Sequence, residues 1–259
     1  MIAMAAAAML LALPASRPWR ERLRAQRHIR PHVNPLHRRF TAPPLAPAVA
    51  AFARAQPLHV DLGCGKGHFC AELAEACPAL NVLGLEIREP LAREAQRLAR
   101  HTANLRFLSG SANACAASAV DALVSGGGGA YLHSVSVQFP DPWPKRRHRK
   151  RRIVQPRLVA ELVERLPAEG FVFLQSDVEE VALEMRVAFL SCASLCETSL
   201  DEEGVASVWN EEEVQWLDER QRPFGEIKTE RERQAARRGL PIFRTLLIHK
   251  SRGNVESGG

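Results

Sequence analysis

No apolar run in the 259-residue chain reaches the roughly 20 residues that cross a bilayer, so a multi-span membrane protein is excluded and no membrane partner is expected. There is no internal repeat, which removes solenoid and fibrous architectures. None of the six cysteines (Cys64, Cys70, Cys77, Cys115, Cys192, Cys196) forms a CxxC pair, and no histidine cluster at zinc spacing follows them. That argues against a structural metal. It points instead to reduced, packed thiols in a reducing compartment. No G-x-x-x-x-G-K-[ST] segment is present, which excludes a phosphate P-loop. Acids are nearly missing from residues 1–40, which hold eight arginines against Glu21, and bases are missing from residues 197–219, which hold nine acids.

What is there is an ordinary globular composition, 46% hydrophobic and 25% charged, long enough for one domain with an extension. The net charge of +6 is unevenly placed. Lys145–Arg152 (KRRHRKRR) carries seven fixed cations and no acid, and residues 1–40 carry +7, leaving −8 on the rest. A dense basic patch on an acidic body fits a polyanion, most often nucleic acid; the plain alternative is a solvated charged loop.

Four segments follow from these shifts. Residues 1–40 form a basic extension, Ala- and Arg-rich and poor in acid, that resembles an organellar transit peptide; plastid or mitochondrion is the expected destination, with cytoplasm or nucleus otherwise. Residues 41–56 read as a Pro/Ala-rich linker or entry helix, 57–250 as the folded domain and 251–259 as a flexible tail. Within the domain, strands are expected at Leu58–Leu62, Asn81–Ile87, Leu105–Leu108, Ser134–Phe139, Phe171–Gln175 and Ile242–His249. Helices are expected at Phe69–Cys77, Glu89–His101, Val154–Leu166 and Val178–Leu190, and residues 197–219 read as a surface excursion. The alternation predicts an α/β fold with a mostly parallel sheet covered on both faces, and a ligand at the carboxyl ends of the strands.

The first strand runs into Asp61-Leu62-Gly63-Cys64-Gly65-Lys66-Gly67-His68. Its glycines let backbone approach a ligand closely, but His68 stands where a dinucleotide fingerprint needs a small residue. An acid before the loop suits a cationic amine. Glu86, at the end of the second strand, suits ribose hydroxyls. Together they describe an S-adenosylmethionine site rather than an NAD site. Asn113, after the third strand, can reach an adenine edge or cap a helix. After the fourth strand comes Phe139-Pro140-Asp141-Pro142-Trp143-Pro144. The prolines fix and expose the Asp141 carboxylate, Trp143 offers a stacking face, and the cations from Lys145 onward suit phosphates.

These motifs resemble the tRNA (guanine-N7-)-methyltransferase family: DLGCGKG at 61–67, LEI at 85–87, SANA at 111–114, FPDPWPKRRHRKRR at 139–152, QSDVEE at 175–180, TERE at 229–232 and GLPIFR at 239–244. RPHVNPLHRRF at 30–40 is similar to the entry segment of plant-type members. The resemblance implies a Rossmann-like class I methyltransferase fold with a seven-stranded, mostly parallel sheet. It implies transfer of a methyl group from S-adenosylmethionine to guanine N7 in the tRNA variable loop, at position 46 in tRNA numbering. It assigns Asp61, Gly63, Gly65, Glu86, Ile87, Asn113 and Ala114 to the cofactor and Asp141 to catalysis. Lys145, Asp177, Thr229, Glu230, Arg231 and Glu232 are assigned to the RNA, with no metal. Asp61 stands where many members carry Glu, and Arg231 where bacterial members usually carry an aromatic. The implied partner is tRNA, and a non-catalytic partner subunit is compatible with the sequence. Competing readings are an RNA amino-group methyltransferase and a non-catalytic tRNA-binding protein that keeps the fold.

Overall fold

The computed structural model describes residues 33–41, 50–125, 129–200, 206–208 and 214–250. The expected leader up to residue 32, most of the linker, the glycines at 126–128, the densest acids of the 197–219 segment and the tail lie outside the described residues.

Among the described residues, eight strands form one sheet: β1 (Leu58–Leu62), β2 (Asn81–Glu86), β3 (Leu105–Ser109), β4 (Leu132–Gln138), β5 (Phe171–Ser176), β6 (Leu195–Leu200), β7 (Ala206–Val208) and β8 (Phe243–His249). Their order is β3-β2-β1-β4-β5-β8-β6-β7. The first five pair in parallel, and β8, β6 and β7 join antiparallel. This is the expected seven-stranded, mostly parallel sheet, extended at one edge by the three-residue β7. The helices are α1 (His68–Ala76), α2 (Glu89–Leu98), α3 (Ala112–Val124), α4 (Pro156–Val163), α5 (Glu179–Leu190) and α6 (Glu230–Arg237). Arg38–Thr41 forms one further helical turn.

Period-two alternation on buried strands sorts the side chains between two layers. Leu58, Val60, Leu62, Val135, Val137, Val172 and Leu174 face a core built with α3, α4 and α5. Phe69 and Leu73 of α1, Ala95 of α2, and Phe171, Phe173 and Phe224 make the core on the other face. Burial of each such side chain contributes on the order of 1.5–3 kcal/mol. Gly67 is required by this packing: its φ is 78°, and a Cβ there would lie 2.5 Å from the Phe107 ring and 2.8 Å from the Ala95 Cβ.

Four elements depart from the sequence expectation: α3, α6, β6 and β7. α3 is rich in small apolar residues and has little amphipathic contrast, so it carries no periodic signal. α6 (ERERQAAR) looks like a solvated charge run, yet it buries Glu232 and Ala235. The surface excursion is corrected twice: Ala206–Val208 is a strand paired with β6, and Leu195–Leu200 is a strand beside β8, where Arg186 Nε donates to both oxygens of the buried Glu197, at 2.8 and 3.0 Å.

Candidate active site

A cleft opens at the carboxyl ends of β1, β2, β3 and β4, where the strand order reverses, the place at which ligands bind in open α/β sheets. Gly63, Glu86, Ile87, Asn113 and Asp141 line it, with Trp143, Arg151 and Ile153 along one side. Val33 and Pro35 from the entry segment also line it, so part of the N-terminal extension is a wall of the site. Of the residues expected at the cofactor, Asp61, Gly65 and Ala114 lie outside its lining, as do Lys145, Asp177 and residues 229–232 on the RNA side.

The cofactor half is held by the ends of β1 and β2. Gly63, at φ 87°, and Cys64 both donate N–H groups to Leu85 O, at 2.8 and 2.9 Å. Glu86 accepts four N–H groups: Gly65 N at 3.0 Å, Arg88 N at 2.8 Å, Arg88 Nε at 3.0 Å and Arg88 Nη2 at 3.1 Å. Those fill the acceptor positions of a carboxylate, so a diol would have to displace the Arg88 side chain to reach Glu86. Burial works against the Arg88 charge, but hydrogen bonding to Glu86 and the nearby charges of Glu86 and Asp141 outweigh it and raise its pKa. Arg88 is thus tied to Glu86 and feels the charge of Asp141 as well.

Asp61 lies beneath the loop, 4% exposed. Ser136 Oγ donates to it at 2.6 Å, Gln138 Nε2 at 3.3 Å and Cys70 Sγ at 3.5 Å. None of these donors is cationic, and burial pushes its pKa up to about 6, against those hydrogen bonds and with help from the charge on Glu86. A buried carboxylate with neutral donors suits an ammonium ligand, which the methionine end of S-adenosylmethionine supplies. Asn113 Nδ2 donates to Ile153 O at 2.8 Å, which fixes its amide beside the cleft.

The substrate half begins at Asp141. Phe139 and Trp143 flank the Pro-Asp-Pro unit, both with positive φ (49° and 42°), a conformation that costs a bulky residue about 1–3 kcal/mol and occurs at functional sites. The basic run is a 3-10 helix over Arg146–Arg151, and it divides its charges. Arg151 lies over the Trp143 ring at 5.0 Å. Arg152 is buried, donates Nε to Pro142 O at 2.7 Å and pairs with Glu184 and Glu180. Arg149 reaches the same two acids, at 2.6 and 3.1 Å. Lys145, Arg146, Arg147 and Lys150 are exposed, with no acid partner among the described residues.

The C-terminal motif caps and anchors α6. Thr229 Oγ1 accepts from Glu232 N at 3.0 Å, an N-cap. Glu230 is 3.6 Å from Lys66 of the glycine loop, and Arg231 Nη2 is 2.5 Å from Asp177 Oδ2. Glu232 is 1% exposed, between Arg244 at 3.2 Å and Arg222 at 3.5 Å. Of the residues expected on the RNA side, Lys145, Glu230 and Arg231 are exposed, Asp177 sits beneath Arg231, and Thr229 and Glu232 face the fold.

Sequence reasoning passed over Arg88, Arg151, Ile153, Val33 and Pro35 as site residues. Arg88 was detectable, because an arginine two residues after a strand-ending acid can fold back on it. The others are brought to the cleft by tertiary packing alone. Among the described residues no group of three or more His, Cys, Asp or Glu is placed to hold a metal, and no helix is long and apolar enough to cross a membrane.

A doubly wound sheet, a glycine turn against β2, and acids at the ends of β1, β2 and β4 define a class I S-adenosylmethionine-dependent methyltransferase. A family model described as "Putative methyltransferase" matches residues 55–245. The chain is 41% identical over 232 residues to the tRNA (guanine-N(7)-)-methyltransferase of Synechococcus elongatus, covering 87% of this chain and 98% of the relative. It is 38% identical over 226 residues to the enzyme of that name from Microcystis aeruginosa, covering 86% and 98%. The chain belongs to the tRNA (guanine-N(7)-)-methyltransferase family.

Proposed function

We propose that this chain transfers the methyl group of S-adenosylmethionine to N7 of a guanine in tRNA, and that the guanine lies in the variable loop. One observation carries the reading: Asp141 shares a cleft with Gly63, Glu86 and Asn113, and the exposed cations start just beyond it at Lys145. The cofactor supplies an electrophilic methyl on a sulfonium. Glu86 and Asp61 would hold its ribose and its ammonium, and Ile87 and Asn113 its base. Guanine N7 has an in-plane lone pair and needs no deprotonation, so alignment of the reacting atoms is the main contribution to rate. The ring gains positive charge as the bond forms, and a fixed carboxylate at Asp141 stabilises it. Trp143, backed by Arg151, offers a face for stacking, and Lys145, Arg146, Arg147 and Lys150 would bind phosphates. Asp177 with Arg231 would bind on the same RNA. We propose that the basic extension, residues 1–40, carries an organellar leader, for a plastid or a mitochondrion, tested by fusing it to a fluorescent protein. A non-catalytic partner subunit is outside this reading, and transfer by the purified chain alone tests that. The test of function is incorporation of labelled methyl from S-adenosylmethionine into unmodified tRNA, followed by nucleoside analysis. N7-methylguanosine is expected; an amine-methylated nucleoside would replace the reading with amino-group transfer.

A further inference from the structure

Polar side chains cross the sheet beneath the cleft in one unbroken line. On one face β1 presents His59 and Asp61, β4 presents Ser134, Ser136 and Gln138, β5 presents Gln175 and β8 presents Arg244. Strand register makes them neighbours: Asp61 is opposite Ser136, Gln138 opposite Gln175, and Gln175 opposite Arg244. Gln138 Nε2 donates to Asp61 Oδ1 at 3.3 Å and to Ser136 Oγ at 3.4 Å. Gln175 Nε2 donates to Gln138 Oε1 at 2.7 Å and to Glu232 Oε2 at 3.2 Å. Arg244 closes the line, with Nε on Gln175 Oε1 at 3.3 Å and Nη2 on Glu232 Oε1 at 3.2 Å. Both glutamines are buried.

We infer that Gln138 and Gln175 are positioning residues that join the cofactor-side carboxylate of Asp61 to the substrate-side helix α6 through Glu232, so that cofactor and tRNA bind cooperatively. The inference rests on the tRNA reading above. Each amide in the line has a direction. While Asp61 is ionised, Gln138 must turn its N–H groups toward it, so its carbonyl faces Gln175. Gln175 must then turn its own N–H groups toward Gln138 and Glu232 and its carbonyl toward Arg244. Reversing either amide sets carbonyl against carboxylate or amide N–H against guanidinium, so one arrangement of the line is favoured while Asp61 is ionised. A hydrogen-bonded line polarised from end to end ties the charge state of Asp61 to the donor that Glu232 receives. An ammonium ligand beside Asp61 strengthens the favoured arrangement, which delivers an N–H to Glu232. Glu232 in turn sits in the first turn of α6, whose neighbours Glu230, Arg231 and Arg233 tie to Lys66, Asp177 and Glu72. A fully satisfied buried network of this kind selects one arrangement; well-packed apolar side chains would serve stability equally well.

The experiment measures the affinity of S-adenosylhomocysteine, which cannot react, with and without saturating unmodified tRNA. It uses the wild type, Gln138→Met, Gln175→Met and the double variant. The wild type is expected to bind the ligand about fivefold or more tightly with tRNA present. Each single variant should fall below about twofold, and the double variant should match the singles, because one line cut twice is still one cut. Additive losses in the double variant, or undiminished coupling in the singles, would overturn the inference. So would a wild type that binds tRNA with no change in ligand affinity, a result that needs no variant to fold and leaves methyl transfer to tRNA standing. Absence of any tRNA binding by the wild type would overturn both readings.

Discussion

Arg152 Nε donates to the carbonyl oxygen of Pro142 at 2.7 Å, so the last cation of the basic run is a strut for the segment that carries Asp141. Its guanidinium also meets Glu180 and Glu184 on α5. Arg152→Met should therefore behave as a structural variant. The expected loss is about 1–3 kcal/mol of stability, read as a lower denaturant midpoint at unchanged slope. Turnover should fall with it, while the salt dependence of tRNA binding stays as in the wild type.

The exposed half of the run should behave in the opposite way. Replacing Lys145, Arg146, Arg147 and Lys150 together with alanine leaves the packed half intact. The thermal midpoint should hardly move. The slope of log affinity against log salt should flatten by roughly 0.7–0.9 for each phosphate that is no longer neutralised. Filter binding at several salt concentrations reads the slope, and an unchanged slope removes these residues from the RNA interface.

Asp141 is the group whose loss should separate chemistry from cofactor binding. Asp141→Ala is expected to lower single-turnover methyl transfer by about a hundredfold or more, the scale of removing one electrostatic partner of developing charge. Binding of S-adenosylhomocysteine should stay within a few-fold of wild type. Asp141→Asn keeps a hydrogen-bonding group but not the charge, so its rate should fall between the two.

Asp61 gives the site a pH dependence of defined sign. Its folded pKa of about 6 lies above its ordinary 3.8. In the empty protein it therefore contributes stability that is complete below about pH 4 and is lost as pH rises through about 6. A bound ammonium favours the ionised carboxylate, so S-adenosylhomocysteine should bind more weakly as pH falls below about 6, by up to about tenfold per unit. Burial pushes His59 down to about 3 and His133 to about 4, so neither titrates in that window. Asp61→Asn should flatten the profile, as titration calorimetry between about pH 5 and 8 would show.

Much of this was legible in the sequence because it rests on local signals. The first five strands announce themselves as short, mostly apolar or alternating runs between turn and helix signals, and the glycine loop, Glu86 and the Pro-Asp-Pro unit need only their own neighbours to be read. α3 and α6 were not legible: one is too uniformly small and apolar to show a face, and the face the other buries is made of a glutamate and an alanine, Glu232 and Ala235. The division of the basic run was hidden because Glu180 and Glu184 meet it only in three dimensions. The polar line across the sheet did have a signal, the alternation in LHVDL and SVSVQ on strands otherwise apolar. A polar residue at every second position of a buried parallel strand marks a shared face.

The entry segment sets a limit on the leader. Val33 and Pro35 line the cleft, so a leader cleaved at residue 40 would remove one wall of the site. A chain begun at residue 33 should bind S-adenosylhomocysteine as the full chain does. One begun at residue 42 should bind it more weakly and turn over more slowly. Equal affinity in the two would show that the segment adds nothing to the site.

The central claim is tested most directly by mapping the methylated atom. The chain begun at residue 33 is incubated with unmodified tRNA and S-adenosylmethionine, and the product is reduced and cleaved with aniline, which cuts at N7-methylguanine. Cleavage at the variable-loop guanine, absent with Asp141→Ala, is the predicted result. Methyl incorporation with no aniline cleavage would contradict it, because the methyl group would then lie on an atom other than N7.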